Sequence, residues 1–512
     1  MIRDSHAPDL VRRRLLQRGA AAGAGLALAP LFAALTAANA RARISGPVVQ
    51  PVLRPVPDAA TGLELLQLPA GFRYTSLGWT GDLMTDGAPT PDRHDGMAVV
   101  DVDPRTGALA IIRNHERGPI RAGGAAPRVG GPNTPVYNNL AIDGAFDGFG
   151  GGTTAIQVRD GRLVSAEGTL AGTMVNCAGG ATPWGSWLSC EEAVLSDPEG
   201  AFEASFGRPA LPHGYVYEVP APRFGKASAR PIVAMGKMKH EAVAVDPRDS
   251  TVYLSEDNGP WSGFYRFLPE DGSGRIGSLE AGGRLEMLKV RGVDGADLRA
   301  PTQGQRFDVE WVAIAEPDRD PEQLVEAAPG LPLLRGAGRS GPYLQGEALG
   351  AARFARGEGC IEHAGVIYMV DTSGGEAGKG SIWAYEPARE RLTALFVSPG
   401  EETANHPDNI TVSPRGGILT CEDGGSFTNA AGDFVGARLL AISPQGVATT
   451  FAENNTRIDA PPEGRPHIEA GDFRGGEFTG ACFSPDGGTL FVNIQTPGIT
   501  LAVTGPFERL GL

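Results

Sequence analysis

The sequence predicts an all-β, six-bladed propeller with four-stranded blades. Three observations carry that expectation: a weak unit repeated six times, a composition rich in turn residues, and a spare strand at the front that completes the last repeat. The 512 residues include 73 Gly and 41 Pro with 41% hydrophobic residues, which suits many short strands and tight turns better than a helical bundle. Repeats are sought first, because units of this length cannot bury their apolar faces alone.

Each unit starts on a polar residue, runs through an apolar strand to a turn, returns through a second strand and usually ends on carboxylates. The first opens at Asp95 and closes at Asn114-His115-Glu116; the second opens at Cys177 and closes at Cys190-Glu191-Glu192. The third runs from Glu241 to Glu256-Asp257, the fourth from Glu358 to Asp371, the fifth from Asp408 to Cys421-Glu422-Asp423, and the sixth from Glu477 to Asn493. Further strand candidates such as TTAIQV and RLVSAEGTL follow five of the hairpins, making four strands per blade. The sixth unit ends at ITLAVTG without an outer strand, and GFRYTSLG at 71–78 is expected to supply it, closing the ring and removing a sheet edge. Residues 292–353 fit no strand register and read as an insertion in the third blade; the Gly-rich stretch 118–152 is similarly irregular.

Residues 1–40 read as a targeting segment. Arg12, Arg13 and Arg14 precede an Ala/Gly/Leu-rich stretch ending in Ala38-Asn39-Ala40, the pattern of a twin-arginine export signal. The stretch from Ala20 to Leu35 is short and broken by Pro30, so no membrane span is expected after signal removal. The expected partner is then the twin-arginine export machinery, the expected location periplasmic or extracellular, and residues 41–512 form a single propeller domain. A net charge of −15 argues against a nucleic acid or an anionic membrane surface and favours cations. The cysteines are Cys177, Cys190, Cys360, Cys421 and Cys482, an odd number, so at least one has no partner within the chain. Four of them lie in or beside apolar strands and read as packing; Cys177, beside Asn176 and a Gly pair, does not.

A hairpin returns its closing residues to the end where it opened, so six units gather their polar ends at one mouth. Asp95, Cys177, Glu241, Glu358, Asp408 and Glu477 should meet there, with Glu116, Glu191, Glu192, Glu256, Asp257, Asp371, Glu422 and Asp423 beside them. So many carboxylates cannot all stay ionised unaided; several oxygens suit calcium, and the softer Cys177 favours a transition metal such as iron or zinc. Arg356, two residues before Glu358, is placed to clamp a phosphate or bridge carboxylates. The chain has no dinucleotide-binding glycine pattern, phosphate loop, H-E-x-x-H or G-x-S-x-G.

At NHE 114–116, GGTT 151–154, NCAGGATPWGSWLSCEE 176–192, KHEAVAVDP 239–247, RGEGC 356–360, DTSGG 371–375, PDNITVSPRGG 407–417, CEDG 421–424 and GEFTGACFSPDGGTLFVNIQTPG 476–498, the chain resembles the PhoX-type alkaline phosphatases. The resemblance implies a secreted propeller phosphatase with iron and calcium at its mouth, using metal-activated oxide or hydroxide attack on a small phosphomonoester. Carried over, Cys177 and Glu241 would be iron ligands. Glu358, Asp371 and Glu477 would join the metal shell with Glu192, Glu116, Asp408 and Glu422. Arg356 and Thr154 would hold the phosphate, with Arg356 and Cys177 taking the catalytic roles. Ala155 stands where some relatives have Asn, and Arg438 is the loose candidate for a second phosphate-binding arginine. The other function classes are a calcium-dependent esterase or lactonase and a non-catalytic, metal-stabilised binding propeller.

Overall fold

The described residues of the computed structural model are 50–124, 127–142 and 146–512, and Gln50–Leu512 is one compact unit. The signal-like segment 1–40 lies outside the described residues. The chain is predominantly β, as the composition predicts, and six antiparallel ladders follow one another in sequence order. Their first strands are His94–Val102, Asn176–Ala181, His240–Val245, Gly357–His363, Pro407–Val412 and Phe478–Phe483. Each of these inner strands touches the one before and the one after, and the sixth touches the first, so the six form a closed ring.

The strands are buried on both faces because an apolar cluster fills each gap between neighbouring ladders. Ile112, Ala155 and Leu170 meet Trp187, Tyr217 and Val219 between the first and second; Cys190 and Val216 meet Val243 and Tyr265 between the second and third. Leu419, Leu439 and Phe451 meet Phe478, Leu490 and Leu501 between the fifth and sixth. Cys190, Cys360, Cys421 and Cys482 all sit in these clusters, and all five cysteines are free thiols.

The spare front strand lies where the repeat requires. Arg73–Leu77 pairs antiparallel with Ile499–Thr504, from Arg73 opposite Thr504 to Leu77 opposite Thr500. The even count of four strands per unit does not hold throughout. The second ladder has three strands, and the fifth is extended by Leu66–Pro69 and Leu53–Val56. The stretch 292–353 also differs from expectation. Its strand Arg306–Ala313 pairs with Gly283–Val290 on one side and Arg391–Val397 on the other, fusing the third and fourth ladders into one nine-stranded sheet. Beyond it come the hairpin Gln323–Ala328 and Leu331–Ala337, then the helix Gly341–Ala348, capped by Ser340, whose Oγ accepts from Tyr343 N–H. Periodicity missed these strands because they are only half-buried, without clear alternation. Residues 118–152 likewise contain a short hairpin, Pro119–Arg121 with Phe146–Phe149. Among the described residues no helix is long and apolar enough to cross a membrane.

Candidate metal centre

Near its start every inner strand carries a β-bulge, two residues opposing one. The register shifts between His94 and Met97, Asn176 and Gly179, His240 and Val243, Gly357 and Cys360, Pro407 and Ile410, and Thr479 and Cys482. A bulge breaks the strict alternation of a strand and re-aims a side chain. The first five bulges hold Asp95, Cys177, Glu241, Glu358 and Asp408.

A second repeated feature fixes which residues are equivalent. The backbone N–H just past each returning strand donates to the carbonyl just before each inner strand: Glu116 to Arg93, Glu192 to Val175, Asp257 to Lys239, Thr372 to Arg356, Asp423 to His406 and Gln495 to Glu477. Three tiers follow. The inner tier is Asp95, Cys177, Glu241, Glu358, Asp408 and Thr479; the middle tier is Glu116, Glu192, Asp257, Thr372, Asp423 and Gln495. The outer tier is Arg93, Val175, Lys239, Arg356, His406 and Glu477. The sixth inner position is therefore Thr479 rather than Glu477, yet Glu477 still reaches the acids, from the outer tier.

Among the described residues, four groups of ligand atoms lie mutually within 4.8 Å: Cys177, Glu192 and Glu241; Glu241, Glu358 and Asp408; Asp408, Asp423 and Glu477; and Asp95, Glu116 and Glu477. Shared members link them into one chain of nine residues. The approach is this close because small residues line the ring just beneath, around a cavity of about 40 Å³ bordered by Gly96, Ala178, Ala242, Gly359 and Gly480.

Electrostatics set the state of this chain. Two carboxylates 4.8 Å apart repel by about 3.5 kcal/mol at an effective dielectric of 20. Burial first, then neighbouring carboxylates, push Asp95, Glu192, Glu241, Glu358 and Glu477 above the usual carboxylate range, and Asp408 up to about 8. The Cys177 thiol is raised by burial and by Asp95, Glu241 and Glu192. Both Glu241 oxygens are buried with no hydrogen-bond partner among the described residues. Cations fit this arrangement. Two oxygens bound to one calcium at 2.3–2.6 Å stand at most about 5 Å apart, and an orphaned carboxylate is the acceptor such an ion satisfies.

Other predicted residues do different work. Glu422 is held by Arg438, with Nε 2.8 Å from Oε2 and Nη2 2.7 Å from Oε1, and accepts from Asn405 N–H. Asp371 accepts from the N–H groups of Ala355 and Arg356, and burial raises it to about 7. Glu191 accepts from Met174, Gly214 and Tyr215 N–H, and Glu256 from Gly263 N–H. All four occupy the closing position of their hairpin, one residue before the middle tier, and tie down nearby backbone; none belongs to the four groups. Arg438 also donates to the carbonyls of Glu401 and Glu402, so each of its three nitrogens already has a partner. Thr154 is buried, its Oγ1 2.9 Å from His115 Nε2 and 3.3 Å from Arg113 Nη2. Ala155 packs in the apolar cluster between the first two ladders, so its side chain is core rather than part of a phosphate contact. Arg356 is at the rim: Nε lies 2.9 Å from Asp257 Oδ1, Nη2 lies 2.9 Å from Glu358 Oε1, and Nη1 has no protein partner among the described residues. Sequence reasoning missed the outer-tier cations Arg93 and Lys239; extending the six units two residues toward the N-terminus would have found them.

A profile of the alkaline phosphatase PhoX family matches residues 52–162 and 146–498. The chain belongs to the PhoX alkaline phosphatase family. Membership makes this PhoX chain an alkaline-phosphatase-like hydrolase acting on small molecules. No curated protein matches it. Among solved structures it is similar to the PQQ domain of pyranose dehydrogenase from Coprinopsis cinerea, at 10% identity and TM-score 0.32 over 88% of this chain and 100% of that one. Another is a “putative 6-phosphogluconolactonase” from Bacteroides uniformis, at 12% identity and TM-score 0.32 over 84% and 85%. Scores this low fix neither topology nor activity.

Proposed function

We propose that this PhoX-family chain is an exported, metal-dependent phosphomonoester hydrolase on a six-bladed propeller, with calcium along the carboxylate chain and iron at Cys177. The closed ring of six inner strands, with apolar clusters between neighbouring ladders, supports the blade count. The observation that carries the metal reading is Glu241: fully buried, without a hydrogen-bond partner among the described residues, and shared between a thiol-containing group and an all-carboxylate group. A soft sulfur beside two carboxylates suits a transition metal, and three carboxylates suit calcium.

Bound there, the cations would polarise a phosphoryl group and acidify a water, help that matters because uncatalysed phosphate monoester hydrolysis needs acceleration of up to about 10²¹-fold. The chain's own part is to hold the ester. Arg356 presents Nη1 to a phosphate oxygen while Asp257 and Glu358 fix the rest of its planar fork. Arg93 stands at the equivalent position on the first unit, its Nη1 anchored 2.7 Å from Gln495 Oε1. The rim thus attracts an anion that the carboxylates alone would repel. The twin-arginine pattern of residues 1–40 supports a periplasmic or extracellular location.

The test is elemental analysis of protein purified without chelators, alongside phosphate release from a chromogenic monoester. Calcium plus a transition metal, with activity abolished by a chelator and by Cys177→Ala, is the expected result. Full activity in Cys177→Ala removes the thiolate from the site, and undiminished hydrolysis by metal-free protein overturns the reading.

A further inference from the structure

Arg113 is fully buried between the first and sixth ladders, and among the described residues no carboxylate pairs with it. Its Nη1 donates to Thr500 Oγ1 at 2.7 Å and lies 3.2 Å from His94 Nδ1; its Nη2 donates to Thr154 Oγ1 at 3.3 Å. A buried cation without a counter-ion is costly, so its neighbours need a reason to hold it there.

The proton positions of this network follow from chemistry. Arginine only donates, and the carbonyls of Pro91 and Asp92 only accept. His94 Nε2 lies 2.9 Å from Pro91 O, so Nε2 carries the proton and Nδ1 accepts from Arg113. His115 Nδ1 lies 2.8 Å from Asp92 O, so Nδ1 carries the proton and Nε2 accepts from the Thr154 hydroxyl. Thr500 Oγ1 donates to Asn493 Oδ1 at 2.6 Å, and Asn493 Nδ2 donates to Asp95 O at 2.7 Å. Each side-chain group but Arg113 Nε is satisfied, in one direction only.

Apart from the bond from Arg113 Nη1 to the Gly78 carbonyl at 3.4 Å, every branch ends at the same place. His94 and His115 are paired across the ladder and immediately precede Asp95 and Glu116, while Asn493 holds the Asp95 carbonyl. Asp95 and Glu116 form one ligand group with Glu477. We infer that Arg113 and Thr154 are positioning residues that lock Asp95 and Glu116 for a calcium ion, through His94, His115 and Asn493. This rests on the metal reading above. It gives Thr154 a role behind the acidic chain instead of against the substrate.

The test compares Thr154→Val, Thr154→Ser and Arg113→Met with the parent protein by chelator-buffered calcium titration. A second readout is the thiolate-to-metal absorption band of protein loaded with cobalt at the Cys177 group. Valine keeps the shape of Thr154 but breaks the link between Arg113 and His115. Expected is a loss of about tenfold or more in affinity at one class of calcium site, the range seen when a ligand's supporting partner is removed. Serine should restore it, and the cobalt band should persist in all three variants. Unchanged calcium affinity in folded Thr154→Val overturns the inference, and so does equal damage to the cobalt band, which would mark a general loss of structure. A parent protein that binds neither metal defeats the metal reading itself, a result separable from both.

Discussion

Gly359→Ala separates packing from charge at the carboxylate chain. Gly359 lies in the fourth bulge beside Glu358, and its backbone is not left-handed, so alanine brings no torsional strain there. The obstacle is space: the added Cβ would stand 2.6 Å from Asp408 O, 2.8 Å from Ile410 N and 3.0 Å from Asn409 Cα, all on the neighbouring inner strand. The first contact is about 0.8 Å short of ordinary van der Waals contact, which begins near 3.4 Å. Backbone cannot rotate away as a side chain can, so the fourth and fifth inner strands must part. Such overpacking costs about 1–3 kcal/mol. A separation of that size exceeds the roughly 0.2 Å tolerance of metal–ligand distances, and it falls between Glu358 and Asp408, members of one group. Calcium titration should show at least tenfold weaker binding, with a lowered denaturation midpoint. Gly400→Ala, which meets nothing within 4 Å, is the control and should change neither. Wild-type calcium affinity in a folded Gly359→Ala protein would refute the idea that close approach of inner strands builds the site.

Glu241→Gln should abolish metal binding at the groups it joins yet stabilise the metal-free protein, because a buried, unpartnered carboxylate is removed; melting curves with and without calcium read both effects. Glu422→Gln should do the opposite, lowering stability by about 3–5 kcal/mol by leaving Arg438 unpaired while metal content stays unchanged. The metal-free protein should lose stability as pH rises. Carboxyl groups raised on folding bind protons more tightly in the folded state, so their contribution is full below the ordinary carboxylate range and lost as pH climbs to about 8, the value for Asp408. Chelated samples melted from pH 5 to 9 check the sign, and calcium should flatten the trend. Arg356→Lys should raise KM for a phosphomonoester about tenfold with metal content unchanged, since a point charge cannot reproduce a fork held by Asp257 and Glu358.

The repeat was legible because it is written in residue types: apolar strands between polar ends, six times over, with a spare strand at 71–78. The gathering of Asp95, Cys177, Glu241, Glu358 and Asp408 followed from the same register. What sequence could not separate was adjacent acids. Glu191-Glu192, Glu256-Asp257 and Glu422-Asp423 read as equal candidates, yet in each doublet the first acid clamps backbone or arginine and the second belongs to the middle tier. One residue of strand register decides this, and pattern alone does not fix register to one residue. The strands within 306–337 escaped for another reason: they are half-exposed and lack the alternation of a strand with one dry face.

The departures from sixfold regularity give the mouth a direction. The sixth unit has no acid in its inner or middle tier, only Thr479 and Gln495, and its acid is moved outward to Glu477, where other units carry Arg93, Lys239, Arg356 or His406. An approaching anion therefore meets cations over the first, third and fourth units and a carboxylate over the sixth. The thiol lies in the second unit, next to the third, sharing Glu241 with the group that contains Glu358. Two of the three rim cations thus flank Glu241 and Glu358, whose group shares Glu241 with the thiol, whereas the Asp95–Glu116–Glu477 group spans the first and sixth units and contains no sulfur. On the metal reading proposed above, the sulfur-containing side with Glu241 would carry the chemistry, and the all-carboxylate group braced by Arg113 would have a supporting, charge-balancing role. Removing Cys177 should then cost turnover far more than removing Glu116 does.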